Sequence, residues 1–378
     1  MANDSKLTQP THGNLAHDNA FIDEVVQVWQ RSVPKRFPTA EKPITGLLAG
    51  KPHVYWAADT KAGRAALVLQ AVHPERKDDR PAIAGLVGSD PGTGRLAIIG
   101  ADNGMGLGYE MAYRYGPGGR YLLAFDQGRP LWVSARTTYD TKGKAERAWQ
   151  ELTFADGVGQ FELPEGTGAF DAKLTTVDPA TATPTLNDQI GIVNTDEAGV
   201  LAEKRRVPGL DWGRDRGWAT WVDVDQAHQK DLAYLQWFHE DNAYKAGMVN
   251  RADRLETGGA QWYAAFSVAP DRLAIVGEVV TDQSGPSHLC TVVLDTKAEK
   301  AVDVRYGGPA DAKAALPVVV PLADNLRGVV LKGATLRYRE GPNAPWQPAG
   351  TDAIKIPSAQ VQVEIDRLGA APVIVDVP

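Results

Sequence analysis

Cysteine is almost absent, Cys290 being the only one in 378 residues. No internal disulfide and no multi-cysteine zinc site can form, while reducing and oxidising compartments both stay open. Runs of lysine and arginine are missing too, and the formal charge is −7 with an isoelectric point near 5.6. The counterion-release attraction of nucleic-acid binders therefore has no source, and nucleic acid is not the expected partner. No apolar run approaches the roughly 18 residues of a membrane-spanning helix; the longest, such as Ala65–Val72, are strand-sized. A Gly-x-Ser-x-Gly elbow, a His-Glu-x-x-His helix, a Walker loop and a Cys-x-x-Cys pair are all lacking, so the common hydrolase and metalloenzyme chemistries have no signature. No cofactor, metal site or catalytic residue is expected on these grounds. The opening residues, Met1–Lys6, do not show the charged-then-apolar pattern of a secretory signal, which fits a cytoplasmic chain or one trimmed of its leader.

What is present is ordinary for a globular protein: 43% hydrophobic and 23% charged residues. The length exceeds the usual size of one core, so two domains are expected. Residues 1–17 are polar and read as a flexible N-terminus. Phe21, Val25, Val28 and Trp29 recur at helical spacing behind Asp18, predicting a short amphipathic helix over Asp18–Arg31. From Pro52 the texture changes to short apolar, β-branched or aromatic runs separated by turn residues, among them Gly116–Gly119, Asp140–Gly143 and the hairpin signal Asp156-Gly157. Tight turns between successive strands predict antiparallel sheets. The segment 177–215, rich in Pro, Thr, Asp and Gly, reads as a linker. Strands resume beyond it, Leu232–Phe238 being read as one of them. The expected fold is mainly β: a first β-domain with its leading helix over 18–176, the linker, and a second over 216–378, each sandwich- or barrel-like. The alternative is a single β-propeller, although no period of about 40 to 50 residues is found.

An offset of about 200 residues brings landmarks of the two halves into the same order. Tyr55-Trp56-Ala57-Ala58 meets Trp262-Tyr263-Ala264-Ala265, and Arg64 and Arg272 each open the apolar run that follows. Arg114-Tyr115-Gly116 meets Arg305-Tyr306-Gly307, and Asp126-x-x-Arg129 meets Asp324-x-x-Arg327. Tyr139, Trp149-Gln150 and Gln160-x-Glu162 meet Tyr338, Trp346-Gln347 and Gln362-x-Glu364. The second domain is therefore read as an internal repeat of the first. Positions that recur should serve the architecture, and function should be sought where the copies differ.

The most unusual stretch without a counterpart is Asp211–Asp241. Aromatic rings beside carboxylates suit a sugar, since rings stack on C–H surfaces and carboxylates hold hydroxyls; the same mixture suits an interdomain seam, the preferred reading. The candidate ligand-binding residues are Trp212, Trp218, Trp221, Asp223, Asp225, Trp237, His239 and Glu240. Asp223-Val224-Asp225 with Asp231 departs from a calcium loop at its glycine and its closing glutamate, so a solvated strand end is preferred. Gly100–Gly108 superficially resembles a phosphate-binding loop but lacks the helix a dinucleotide fold needs, and reads as a hairpin connection. His288 and Cys290, two apart on a strand, could pair as imidazole and thiolate, though a lone strand cysteine is more often a small buried hydrophobe.

The helix over Asp18–Arg31, followed by Leu48–Ala58 and Gly63–Val68, resembles uncharacterised actinobacterial proteins in which a β-rich region follows an N-terminal membrane anchor. The likeness is strongest over residues 20–165. It implies an extracytoplasmic domain, membrane-anchored in the natural protein through a segment not contained in this chain. The expected function is a non-catalytic binding or sensing module with a cleft between two repeated β-domains, its partner a small molecule, glycan or protein. One alternative is a carbohydrate-active hydrolase using two acids of 211–241, such as Asp223 and Glu240. The other is a structural partner in a cell-envelope assembly.

Overall fold

A computed structural model describes residues 6–36, 48–73, 82–90, 93–101, 111–194, 219–222, 232–255 and 262–378. The protein is mainly β, and its sheets are built almost wholly from antiparallel pairs. Two compact units divide the chain: Met1–Arg136 with Ala148–Glu203, and Thr137–Arg147 with Lys204–Pro378.

The first unit opens with helix α1 (Asn19–Arg36). Asp18 caps it, its carboxylate accepting the Phe21 amide proton at 3.0 Å. Strands β1 (Leu48–Thr60), β2 (Gly63–Val72), β3 (Ala82–Ser89) and β4 (Leu96–Ala101) follow as a four-stranded meander in sequence order. Phe21, Val25, Val28, Trp29 and Val33 pack on one face of this sheet against Val54, Ala57, Ala66, Val68 and Val87. The Trp29 indole donates to Gln70 at 2.8 Å, and its ring requires a glycine at position 85, where a Cβ would lie 2.7 Å away.

The sheet's other face packs on a second sheet. This contains β5 (Met111–Tyr115) and β6 (Tyr121–Phe125), then, beyond β7 (Trp132–Ser134), β8 (Thr137–Tyr139), β9 (Ala145–Arg147) and β10 (Gln150–Glu151), the hairpin β11 (Phe154–Ala155) and β12 (Val158–Glu162). A small third sheet joins β7, β10 and β13 (Lys173–Thr175) and covers the far side of β5 and β6 through Leu131, Val133, Leu152 and Leu174. Arg114 is fully buried and donates to the Gly119, Thr167 and Gly168 carbonyls, holding two loops against β5.

Part of the segment read as a linker belongs to this unit. Thr185 and Asp188 form a capping box around a 3-10 turn, Leu186–Asp188, and β14 (Gly191–Asn194) pairs in parallel with β5. A four-residue edge strand among Pro, Thr and Asp carries too little alternation to be seen in sequence. The remainder, 195–215, lies outside the described residues.

In the second unit, β15 (Ala219–Val222) pairs in parallel with β16 (Tyr263–Ala269), which leads the meander β17 (Arg272–Val279), β18 (His288–Asp295) and β19 (Lys300–Pro309). Leu232–Phe238, read as a strand, is instead the start of helix α2 (Leu232–Lys245). Its Leu235, Phe238 and Ala243 pack beneath that sheet with Ile275, Cys290 and Val292. Six apolar or aromatic residues among the seven of Leu232–Phe238 hide the helical period, which shows only when Leu235, Phe238, His239 and Ala243 are found buried and Trp237 and Tyr244 exposed. The opposite face carries Trp262, Ala264, Phe266 and Val276 against β20 (Val318–Ala323), β21 (Leu326–Arg339) and β22 (Gly350–Pro357). The long β21 pairs through its first half with β20 and mainly β22, and through its second with β23 (Val361–Asp366), which β24 (Val373–Val377) extends. Sheets stack in layers within each unit, not as propeller blades.

The hairpin β8–β9 has left its sequence neighbours for this second unit. Arg147 and Asp253, both wholly inaccessible, form an ion pair at 2.6 Å. Asp253 also accepts from Thr137 Oγ1 at 2.5 Å and Gln283 Nε2 at 3.2 Å. At the tip, Gly143 has φ +81°, and a Cβ there would meet the Tyr306 ring at 2.4 Å.

Candidate functional site

Of the residues singled out in sequence, Trp212, Trp218, Asp223 and Asp225 lie outside the described residues, and Trp221 is described only as backbone in β15. Trp237, His239 and Glu240 all stand on α2, but the helix turns them apart. Trp237 is 60% exposed and tilted against Tyr234, whereas His239 and Glu240 are buried beneath the sheet. Burial pulls the His239 pKa down to about 4, so the ring is neutral and its Nε2–H donates to the Cys290 carbonyl at 3.1 Å. Its edge meets Tyr263, whose hydroxyl burial and the nearby Glu240 and Glu278 carboxylates push far above its ordinary value. Glu278 in turn accepts from Ser287 at 2.8 Å. These groups are sealed between α2 and the sheet it covers, out of reach of a solute.

The suggested His288–Cys290 pair fares no better. Cys290 is fully buried and its thiol is pushed up by desolvation, so no thiolate forms. His288 lies stacked on Tyr139 with ring centroids 3.6 Å apart, and its Nδ1 accepts the Tyr306 hydroxyl at 2.7 Å. Desolvation lowers its pKa to about 4, the neutral state that this acceptor role needs. Among the described residues, no group of three or more His, Cys, Asp or Glu side chains could hold a metal ion.

In the first unit, solvent-facing polar side chains surround a cleft of about 250 Å³. Its floor is Trp56. A register shift in β1 between Val54 and Trp56 turns Tyr55 and Trp56 toward the same sheet face, a departure from strand alternation. The N-terminal segment runs alongside: the His12 amide donates to Tyr55 and the Ala57 amide to the His12 carbonyl, both at 2.9 Å. Gly13, at φ +93°, fits where a Cβ would lie 2.2 Å from the Ala57 carbonyl oxygen. Asn14 then accepts the Asp59 amide proton at 2.8 Å and fixes one rim. The other rim is the β11–β12 hairpin, whose turn places Asp156 and Gly157 at φ +52° and +78°, both in the left-handed region. Tyr55 donates to the Gly157 carbonyl at 3.3 Å and ties that turn to the floor.

Trp56 is only 2% exposed, and its indole N–H, beside Gly13, has no acceptor among the described residues. The Asp59 and Asp156 carboxylates, the Thr153 hydroxyl and the Gln160 amide also line the cleft without a side-chain partner. A second hollow, about 520 Å³, lies over α1 and holds Arg31, Arg64 and Arg95. Two of its guanidinium groups are committed, Arg64 to Asp18 and the Phe21 ring, Arg31 to the Gln27 carbonyl. Sequence reasoning treated Trp56 as an architectural landmark and Asp156 as a turn residue. The bulge that joins them has no local sequence signal, although Asp156-Gly157 was visible as a hairpin turn.

The chain matches no protein-family model, no curated protein and no solved structure.

Proposed function

We propose that the protein is a non-catalytic binding module whose ligand site is the cleft of the first unit. One contrast carries this reading. His239, Glu240, Glu278, Cys290 and Asp253, the groups with chemical potential, are buried in the fold, while Asp59, Thr153, Asp156 and Gln160 stand exposed around a cleft that Trp56 also lines. The hydrolase alternative, with Asp223 and Glu240 as its acids, is weakened by Glu240, which is buried on the sheet-facing side of α2 beside Tyr263. The likeness of residues 20–165 to anchored actinobacterial proteins is the support for an extracytoplasmic setting.

The same proposal includes duplication. Each unit has a helix on one face of an antiparallel meander and a second sheet on the other, with Trp56 and Trp262 both on the sheet–sheet side. The hairpin β5–β6 with β12 corresponds in pairing to β20–β21 with β22. The landmarks themselves do not all coincide. Arg114 is a buried staple in the second sheet of its unit, whereas Arg305 lies in the meander and pairs with Asp303 and Asp324 near the surface. What supports common descent is the order of the layers rather than those matches.

Thermal-shift screening against sugars, polyols, amino acids and quaternary amines, with mass spectrometry of each mixture, tests the reading. The expected result is stabilisation by one solute class, lost on combining Asp59→Asn with Asp156→Asn, and no product. A protein-dependent product, or stabilisation indifferent to both substitutions, contradicts it.

A further inference from the structure

The groups at the cleft restrict the chemistry of what can occupy it, and this step rests on the binding reading above. No lysine or arginine lines it, and two carboxylates do, so a phosphate or carboxylate ligand would meet uncompensated repulsion. A metal ion is disfavoured from the other side. The Trp56 indole can only donate, so the positive end of its N–H bond would point at the cation. Asp59 and Asp156, when ionised, can only accept. The occupant must therefore accept from Trp56 and donate to two carboxylates within a space of about 250 Å³. Hydroxyl groups, each both donor and acceptor, meet those demands, and Thr153 and Gln160 add matching sites at the rim. The near-complete burial of Trp56 withholds its ring face, so recognition would proceed through hydrogen bonds to the occupant's edge and not by stacking.

We propose that this cleft binds a small neutral polyhydroxyl solute, a monosaccharide or cyclic polyol, held by the Trp56 indole N–H and the Asp59 and Asp156 carboxylates.

The experiment follows the indole N–H resonances of the full-length, nitrogen-15-labelled protein, which has ten tryptophans. The Trp56 peak is identified by its loss in Trp56→Phe, and the chain is titrated with glucose, mannose, galactose and myo-inositol. The expected result is a saturable shift of that peak by at least one of them, with a dissociation constant on the order of millimolar. Asp59→Asn and Asp156→Asn should each weaken binding by about tenfold, since each removes a charged acceptor. Asparagine tolerates the positive φ of position 156, so that variant should keep the turn. Should Trp56→Phe not fold, calorimetric titration of the two Asp→Asn variants decides the same question.

Choline and calcium chloride are run beside the sugars. If either moves the Trp56 peak and no sugar does, the polyhydroxyl class is overturned while a binding cleft stands. If none of these probes moves it, both the class and the cleft as a binding site fall. Sugar binding unaffected by either aspartate substitution overturns the assignment of these residues.

Discussion

His239 and His288 sit in different surroundings and share one consequence. Burial holds both imidazoles neutral, with pKa values near 4, the first against the Cys290 carbonyl and the second between Tyr139 and Tyr306. In the unfolded chain each would titrate near its ordinary 6.5, so between those values the unfolded state binds more protons than the folded one. Stability therefore falls as pH drops from about 6.5 to about 4, and this contribution levels off below the folded value. Each histidine accounts for on the order of 3 kcal/mol over the window. Urea unfolding at several pH values should show the decline, and His288→Phe, which keeps a ring against Tyr139, should reduce the slope by one proton's worth, about 1.4 kcal/mol per pH unit. An unchanged slope would show that His288 is not held neutral.

Among the elements, the hairpin β8–β9 is the one whose removal should be felt most. Arg147→Ala leaves Asp253 as an unpaired buried charge and should cost about 3–5 kcal/mol in chemical denaturation. Combining Arg147→Met with Asp253→Leu should recover most of that loss, because desolvating both charges consumes much of what their attraction returns. Asp18→Ala, which removes the cap of α1, should cost only about 1 kcal/mol by the same measurement. These elements also show what a sequence can reveal. The 3.6 period of Phe21, Val25, Val28 and Trp29 and the turn residues Asp140–Gly143 and Asp156-Gly157 are local, and all were legible. Arg147 and Asp253 stand 106 positions apart in sequence, and nothing near either residue announces the other. Helix α2 was hidden by its own hydrophobicity, and the cleft by a one-residue bulge in β1 that moves Trp56 beside Tyr55. Asp211–Asp241 drew attention through composition, which does not distinguish Trp237 at the surface from Glu240 beneath it.

At the scale of the whole molecule, the chain leaves the first unit after Arg136, returns at Ala148 and leaves again after Glu203. The second unit is thus not one continuous stretch of sequence. Residues 204–378 expressed alone would contain Asp253 without Arg147 or Thr137, and would uncover the Tyr306 ring where Gly143 lies and the His288 face where Tyr139 stacks. An unpaired buried carboxylate alone is worth a large fraction of the 5–15 kcal/mol typical of a native protein. The fragment should consequently unfold with low cooperativity, or at a markedly lower temperature than the corresponding transition of the full chain, when followed by circular dichroism. A synthetic peptide spanning 134–150 should restore the sharp transition in a concentration-dependent way, as expected of a ligand that binds only the folded form. The same peptide carrying Arg147→Ala should not. If the fragment alone melts at the temperature it shows within the intact chain, then the hairpin merely rests on a core that is already complete.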